Sequence, residues 1–181
     1  MKILLTYALG DERVDVCMPH HELVYLETGV GKVRSAMNLM RAVIFHRPDL
    51  VLNFGTAGSL NHNVGDVVVC NRFVDRDLRC LVLGEVNSSI AFPPDILSIL
   101  PDKNFIVGTC NTGDSFVTEV SDIEGDVIDM EASAQADVCS VMNLPFFSVK
   151  YVTDVVGQNS VDIWKDKLAD ARKSLFEFFN M

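Results

Sequence analysis

Residues 127–138 read VIDMEASAQADV, a strand-like run that gives way to a helix-like one, with three acidic residues set among apolar neighbours. Asp129 and Glu131 stand astride Met130 at the changeover, where the chain is entering its core. A carboxylate is costly to bury unless it is paired or put to use. The stretch therefore raises the question of fold and of function together.

Outward from it, β-rich runs recur: KILLTYAL (2–9), ELVYLE (22–27), DLVLNF (49–54), DVVVCNRFV (66–74), NFIVGT (104–109), DVIDM (126–130) and FFSVKYV (146–152). They are continuous rather than alternating, the pattern of a sheet covered on both faces. Helical stretches are expected at Lys32–His46, with apolar Val33, Met37, Met40, Val43 and Ile44, and at Ala132–Met142. A third is expected at Ser160–Phe179, with Ile163, Trp164, Leu168, Ala171, Leu175 and Phe178 on one side. Pro48, Pro101 and Pro145 each fall in a connection before a strand, where the missing N–H is tolerated. The mixture is α/β, and with no repeat, low-complexity tract or linker it reads as one domain over residues 1–181.

With 181 residues, 49% of them hydrophobic, the chain can bury a sizeable core. A net charge of −10 argues against nucleic acid as a partner, because that affinity comes from clustered Lys and Arg. The N-terminal apolar run stops at Gly10 and suits a first strand better than a secretory segment. No run approaches the ~18 apolar residues of a membrane span. Five cysteines (Cys17, Cys70, Cys80, Cys110, Cys139) form no CxxC pair. Buried free thiols in a reducing cytoplasm are expected, and no metal site.

ETGVGKVRSA and NFGTAGSLNHNVGD place glycines and hydroxyls at strand C-terminal ends, where open α/β sheets bind ligands. Neither is GxGxxG or a P-loop. Acidic residues occupy four such ends: Glu12, Asp114, Glu131 and Asp154. Asp114 and Asp129 have a plain reading as turn or cap residues. The flanks of Glu131 and Asp154 are so apolar that desolvation should raise a carboxyl pKa there, as a proton donor near neutral pH requires.

DMEASA (129–134) and YVTDVV (151–156), preceded by TGVGKV, LNFGTAGSL and NTGDSFV, together resemble the purine nucleoside phosphorylase and nucleosidase superfamily. Within it the resemblance is greatest to the 5'-methylthioadenosine/S-adenosylhomocysteine nucleosidase family and spans nearly the whole chain. It implies a three-layer α/β/α fold with a mixed central sheet, phosphorylase/hydrolase-like. It also implies hydrolysis of the N-glycosidic bond of a purine nucleoside thioether without a cofactor. Asp154 matches the general acid that protonates the five-membered-ring nitrogen of the departing purine, with Thr153 beside it. Glu12 matches the carboxylate that orients and deprotonates the attacking water, with Thr56 able to bind the same water. Glu131 matches the acceptor of the ribose hydroxyls, with Met130 against the sugar, while Asp129 matches no ligand group. Phe116 matches an aromatic that stacks on the purine, with Val117 offering backbone groups beside it. Trp164 matches an aromatic at the pocket for the 5'-substituent, its partner wall coming from a neighbouring subunit of a homodimer.

Asn53 stands where phosphorylases of the superfamily carry an arginine for phosphate, which favours water as nucleophile. Gly10-Asp11-Glu12-Arg13 is nonetheless similar to a phosphorylase turn, so a phosphate-dependent enzyme is the alternative. Lys150 replaces a family arginine whose bidentate geometry lysine cannot reproduce, and the segment 76–103 is shorter than in typical members. These departures keep open a third reading, a catalytically weakened nucleoside-binding homologue.

Overall fold

The computed structural model describes residues 1–79, 89–100, 104–119, 123–157 and 161–180. Its layering follows from the period of two along an extended strand. In β1 (Lys2–Tyr7), Ile3, Leu5 and Tyr7 join one buried cluster while Leu4 joins another on the opposite face. In the last strand Phe147, Val149 and Tyr151 point to the first cluster, and Phe146 and Val152 to the second. Continuous apolar strands thus reflect cover on both sides, as the sequence implies.

The chain runs β1, β2 (Glu22–Glu27), α1 (Lys32–His46), β3 (Leu50–Ser59), β4 (Val67–Asp75), a short α2 (Arg76–Arg79), β5 (Ser89–Ala91), β6 (Ile106–Thr112), β7 (Val127–Asp129), α3 (Ala132–Val141), β8 (Phe146–Val155) and α4 (Val161–Asn180). Two 3₁₀ turns, Gly10–Glu12 and Pro94–Ile99, complete it. The sheet is mixed, in the order β2-β1-β3-β7-β6-β4-β5, with β8 pairing parallel to β3 and antiparallel to β4. β3, β7, β6, β4 and β8 therefore form a closed circuit of hydrogen-bonded strands. α4 covers one face through Ala171, Leu175 and Phe179, and α1 and α3 cover the other through Leu39, Ala42, Val43, Ala132, Ala136 and Cys139.

A buried polar chain crosses from sheet to helices. Ser148 Oγ donates to Asn53 Oδ1 (2.7 Å), and Asn53 Nδ2 donates to Thr6 Oγ1 (3.2 Å). Thr6 Oγ1 donates to Gln135 Oε1 (2.7 Å), and Gln135 Nε2 to Ser35 Oγ (2.9 Å). Each group is satisfied, which is the condition under which polar atoms are tolerated in a core.

This chain explains one departure from expectation. The α1 positions read as its buried side are largely outward: Val33 (68% exposed), Met37 (62%) and Ile44 (62%) face solvent, while Ser35, Leu39, Ala42 and Val43 are inside. The Ser35 hydroxyl, held by Gln135, turns the helix so that its more apolar stripe is left on the surface. β3 and β8 also run on past the expected ends at Phe54 and Val152, to Ser59 and Val155.

Pro48 and Pro145 precede β3 and β8 as expected, and Pro101 lies outside the described residues. Cys70, Cys110 and Cys139 are buried free thiols, Cys17 is exposed, and Cys80 lies outside the described residues. Among the described residues, no helix is long and apolar enough to cross a membrane.

Leu175 anchors α4 and is 1% exposed. Leu175→Ala should lower unfolding stability by about 3 kcal/mol, the usual cost of a large buried aliphatic truncation, measurable as a lower urea midpoint at unchanged slope.

Candidate active site

Strand ends bring the carboxylates together. β1 leads into the 3₁₀ turn that ends at Glu12, β7 leads through Met130 to Glu131 at the mouth of α3, and Asp154 lies near the end of β8. Between them passes β3, whose FGTAG stretch stays extended because glycine leaves room for side chains from its neighbours. A Cβ at Gly55 would lie 3.1 Å from Glu12 Oε1, and one at Gly58 would lie 3.0 Å from Asp154 Oδ2. Strand glycines commonly mark such close approaches.

The result is a cavity of about 390 Å³ lined by Glu12, Thr56, Phe116, Val117, Met130, Glu131, Thr153, Asp154 and Trp164, so every residue singled out for the site lines it. Glu131 at the start of α3 and Asp154 near the end of β8, the next strand in the chain, share one sheltered space. Asp129 also lines it, as do Val30, Gly58, Ser115 and Val156 from the motifs quoted above, and Ala8 and Leu9, for which the sequence offered no signal. Among the described residues the lining includes no Lys, Arg or His.

The carboxylates differ by their partners. Glu12 is buried; its Oε1 accepts the Thr56 amide (2.9 Å) and hydroxyl (2.7 Å), and its Oε2 accepts the Leu9 amide at 3.3 Å. Asp154 is buried, with the Thr153 hydroxyl donating to its Oδ1 at 2.6 Å. Asp129 is structural: it pairs with the buried Lys150 ammonium at 2.8 Å and accepts the Thr112 hydroxyl (2.6 Å) and the Ala132 amide at the start of α3 (3.0 Å). Burial would raise the Asp129 pKa, but Lys150 together with the Thr112 and Ala132 hydrogen bonds outweighs it and holds the group below the ordinary carboxylate range. Burial by itself would lower Lys150, and Asp129 reverses this so that the ammonium persists.

Glu131 has a poorer environment. Among the described residues its carboxylate accepts one donor, the Gly31 amide at 2.9 Å, presented by a backbone with φ of 90° that favours glycine. Burial, and then the neighbouring Asp129 charge, push its pKa up to about 7, against weaker pulls from Lys150 and the Gly31 amide. A desolvated carboxyl of this kind gains most from a ligand that supplies hydroxyl donors.

Several neighbouring residues serve structure. Asp114 accepts the Lys32 amide at 2.8 Å, capping α1, and Lys32 Nζ pairs with Asp75 (3.0 Å) and Asp77 (2.6 Å), leaving it no P-loop role. Arg76 holds the turn before Phe116 by donating to the carbonyls of Asn111 (3.3 Å), Gly113 (2.9 Å), Ser115 and Asp129 (3.2 Å). Backbone carbonyls as partners leave no trace in a sequence. Asn53 is turned away from the cavity into the polar chain between Ser148 and Thr6, and Arg13 lies over the Tyr25 ring at 4.8 Å. Neither is placed to hold a phosphate in the cavity.

The family model described as the phosphorylase superfamily matches residues 16–180. The chain belongs to the phosphorylase superfamily. Among members of this superfamily it is similar to the 5'-methylthioadenosine/S-adenosylhomocysteine nucleosidase of Bacillus licheniformis, 31% identical over 176 residues, 84% of this chain and 76% of that one. The protein of the same name from Bacillus cytotoxicus is 30% identical over 77% of this chain and 71% of its own. The fold matches the S-adenosylhomocysteine nucleosidase of Streptococcus pyogenes, solved with 5-methylthiotubericidin, at a TM-score of 0.79 and 24% identity, over 98% of this chain and 94% of that one. It also matches the futalosine hydrolase of Helicobacter pylori, at a TM-score of 0.84 and 19% identity with the same coverage. Glu12 precedes the span that the family model matches.

The raised Glu131 pKa makes a test of this site independent of catalysis. The folded protein retains a proton that the unfolded chain releases near pH 4.5, so this group's contribution falls as pH rises from about 4.5 to about 7. Glu131→Gln removes that penalty. The variant should be more stable than the wild type at pH 8, by on the order of 3 kcal/mol, with the gain vanishing near pH 4.5 in parallel urea titrations.

Proposed function

We propose that this protein is an N-glycosidase that hydrolyses 5'-methylthioadenosine or S-adenosylhomocysteine, releasing adenine. The observation that favours water over phosphate as nucleophile is the composition of the cavity, where the described lining residues include the carboxyl side chains of Glu12, Asp129, Glu131 and Asp154 and no basic side chain. A phosphate dianion brought into such a space would find no cationic side chain among these lining residues to offset its charge in low dielectric, whereas a neutral water needs none. The names and extent of the similar proteins support the thioether substrates.

In this reading the ribose hydroxyls donate to Glu131. That carboxylate gains donors the protein does not give it, and binding draws it towards its ionised form. Met130 packs on the sugar, Phe116 stacks on the purine with the backbone of Val117 beside it, and Trp164 receives the 5'-substituent. As the bond from C1' to the purine breaks, its electron pair passes to the base. Asp154, steadied by Thr153, protonates the five-membered ring so that adenine leaves neutral. Water held by Glu12 and Thr56 adds to C1' and gives its proton to Glu12, completing a hydrolysis that consumes one water. Lys150 serves through Asp129, and a point ammonium suffices for that one carboxylate.

The same reading carries a homodimer. Val33, Met37, Ile44 and Phe45 (81% exposed) form an apolar stripe on α1, and Val30, just before that helix, lies on the cavity wall. Exposed apolar surface of this kind marks an interface, and a second copy packed there by two-fold symmetry would border the cavity mouth. Free thiols suit a reducing cytoplasm, the compartment proposed for the protein.

Purified protein should release adenine from 5'-methylthioadenosine or S-adenosylhomocysteine at the same rate with and without phosphate, yielding the free thioribose sugar. Strict dependence on phosphate with a sugar 1-phosphate product would make it a phosphorylase, and tight binding without release would make it a binder. Asp154→Asn should lower turnover by about 10²-fold or more at unchanged fold. Sedimentation should give a dimer that Met37→Glu with Phe45→Asp converts to monomer; a monomeric wild type would remove the second copy.

A further inference from the structure

Trp164 is the chain's single tryptophan, and it stands in the first turn of α4 on the cavity wall. Its indole does more than present an apolar ring. Nε1 lies 2.8 Å from Thr56 Oγ1, and Thr56 Oγ1 lies 2.7 Å from Glu12 Oε1. This line of three groups has only one possible polarity. An indole N–H can donate but not accept, so the Thr56 oxygen must accept from Trp164. Its one proton is then committed to Glu12.

The commitment distinguishes the two oxygens of the base. Oε1 takes both the Thr56 hydroxyl and the Thr56 amide, at 2.7 and 2.9 Å. Among the described residues, Oε2 receives only the long contact from the Leu9 amide, at 3.3 Å. Released from the indole, the Thr56 hydroxyl could turn its proton away from Oε1. Held by the indole, it has one of its two lone pairs filled and its proton fixed on Oε1, so Oε2 is the carboxylate oxygen with the most open capacity for the proton of a water beside the pair.

We infer that Trp164 is a positioning residue for the hydrolytic step, its indole N–H fixing the Thr56 hydroxyl as a donor to Glu12 Oε1 so that Oε2 receives the proton of the attacking water. The inference rests on the nucleosidase reading and deepens it. Because the same side chain forms the wall assigned to the 5'-substituent, packing of that group against the ring also steadies the base. The 5'-substituent should therefore contribute to kcat as well as to KM.

Trp164→Phe keeps an aromatic ring and deletes the donor. It should lower kcat on 5'-methylthioadenosine about 10-fold, the effect of one well-placed hydrogen bond, while KM changes less than 3-fold. Thr56→Val should lower kcat by at least as much, and the double variant no further than Thr56→Val alone, since both act through one chain of bonds. Losses that multiply in the double variant would overturn the inference.

A second measurement does not need catalysis. A single tryptophan gives a single indole N–H resonance, which Thr56→Val should move upfield with about 10-fold faster solvent exchange if it is bonded to Thr56. Wild-type hydrolysis with an unmoved resonance would remove the positioning role alone. A wild-type protein that releases no adenine would remove the nucleosidase reading and this refinement with it.

Discussion

The arrangement depends on one buried ion pair. Lys150 of β8 and Asp129 at the end of β7 lie 2.8 Å apart, and Asp129 also takes the Thr112 hydroxyl of β6 and the first amide of α3. Three strands and a helix are thereby fixed at a point two residues before Glu131 and four before Asp154. Two charges withdrawn from water gain little net stability from each other, but an unmatched one is costly, so any packing that separates them is disfavoured. The pair thus serves chiefly to fix geometry. Its field also reaches the cavity, where the Asp129 charge adds to burial in holding Glu131 near neutrality.

Around that point the protein makes different groups out of similar side chains. Glu12 is served by an amide and a hydroxyl of one residue, Asp154 by the adjacent Thr153, Asp129 by an ammonium, and Glu131 by a single amide. Four carboxyl groups that share one cavity thus differ in how each is supplied with donors and counter-charge. The glycines of β3 are part of this design: space vacated at Gly55 and Gly58 is occupied by the carboxylates of Glu12 and Asp154.

Much of this was legible before the structure because it depends on residue type. The bounds of β2 and α1 follow their apolar runs, and the site carboxylates stand out by their apolar flanks. What was hidden depends on partners distant in the chain. β3 continues past Phe54 because its glycines accept neighbouring side chains, which in sequence looks the same as a turn. The orientation of α1 was misread because Ser35 is drawn inward by Gln135, one hundred residues away. Arg76 reads as a surface residue in RDLR, yet it grips the carbonyls of a distant turn. Asp129 makes the capping contact of its plain reading at the start of α3, while Asp114 makes one to Lys32 of α1, far off in the chain.

The closed circuit of strands bears on how the protein is made. β3, β4, β6 and β7 precede β8 in the chain, and it is β8 that bridges β3 to β4 and shuts the circuit. β8 also carries Lys150 and Asp154. Until β8 is paired during folding, Glu12 and Glu131 would lie on an open sheet and Asp129 would lack its counter-ion. The enclosure that the carboxylates share is therefore completed by this one strand.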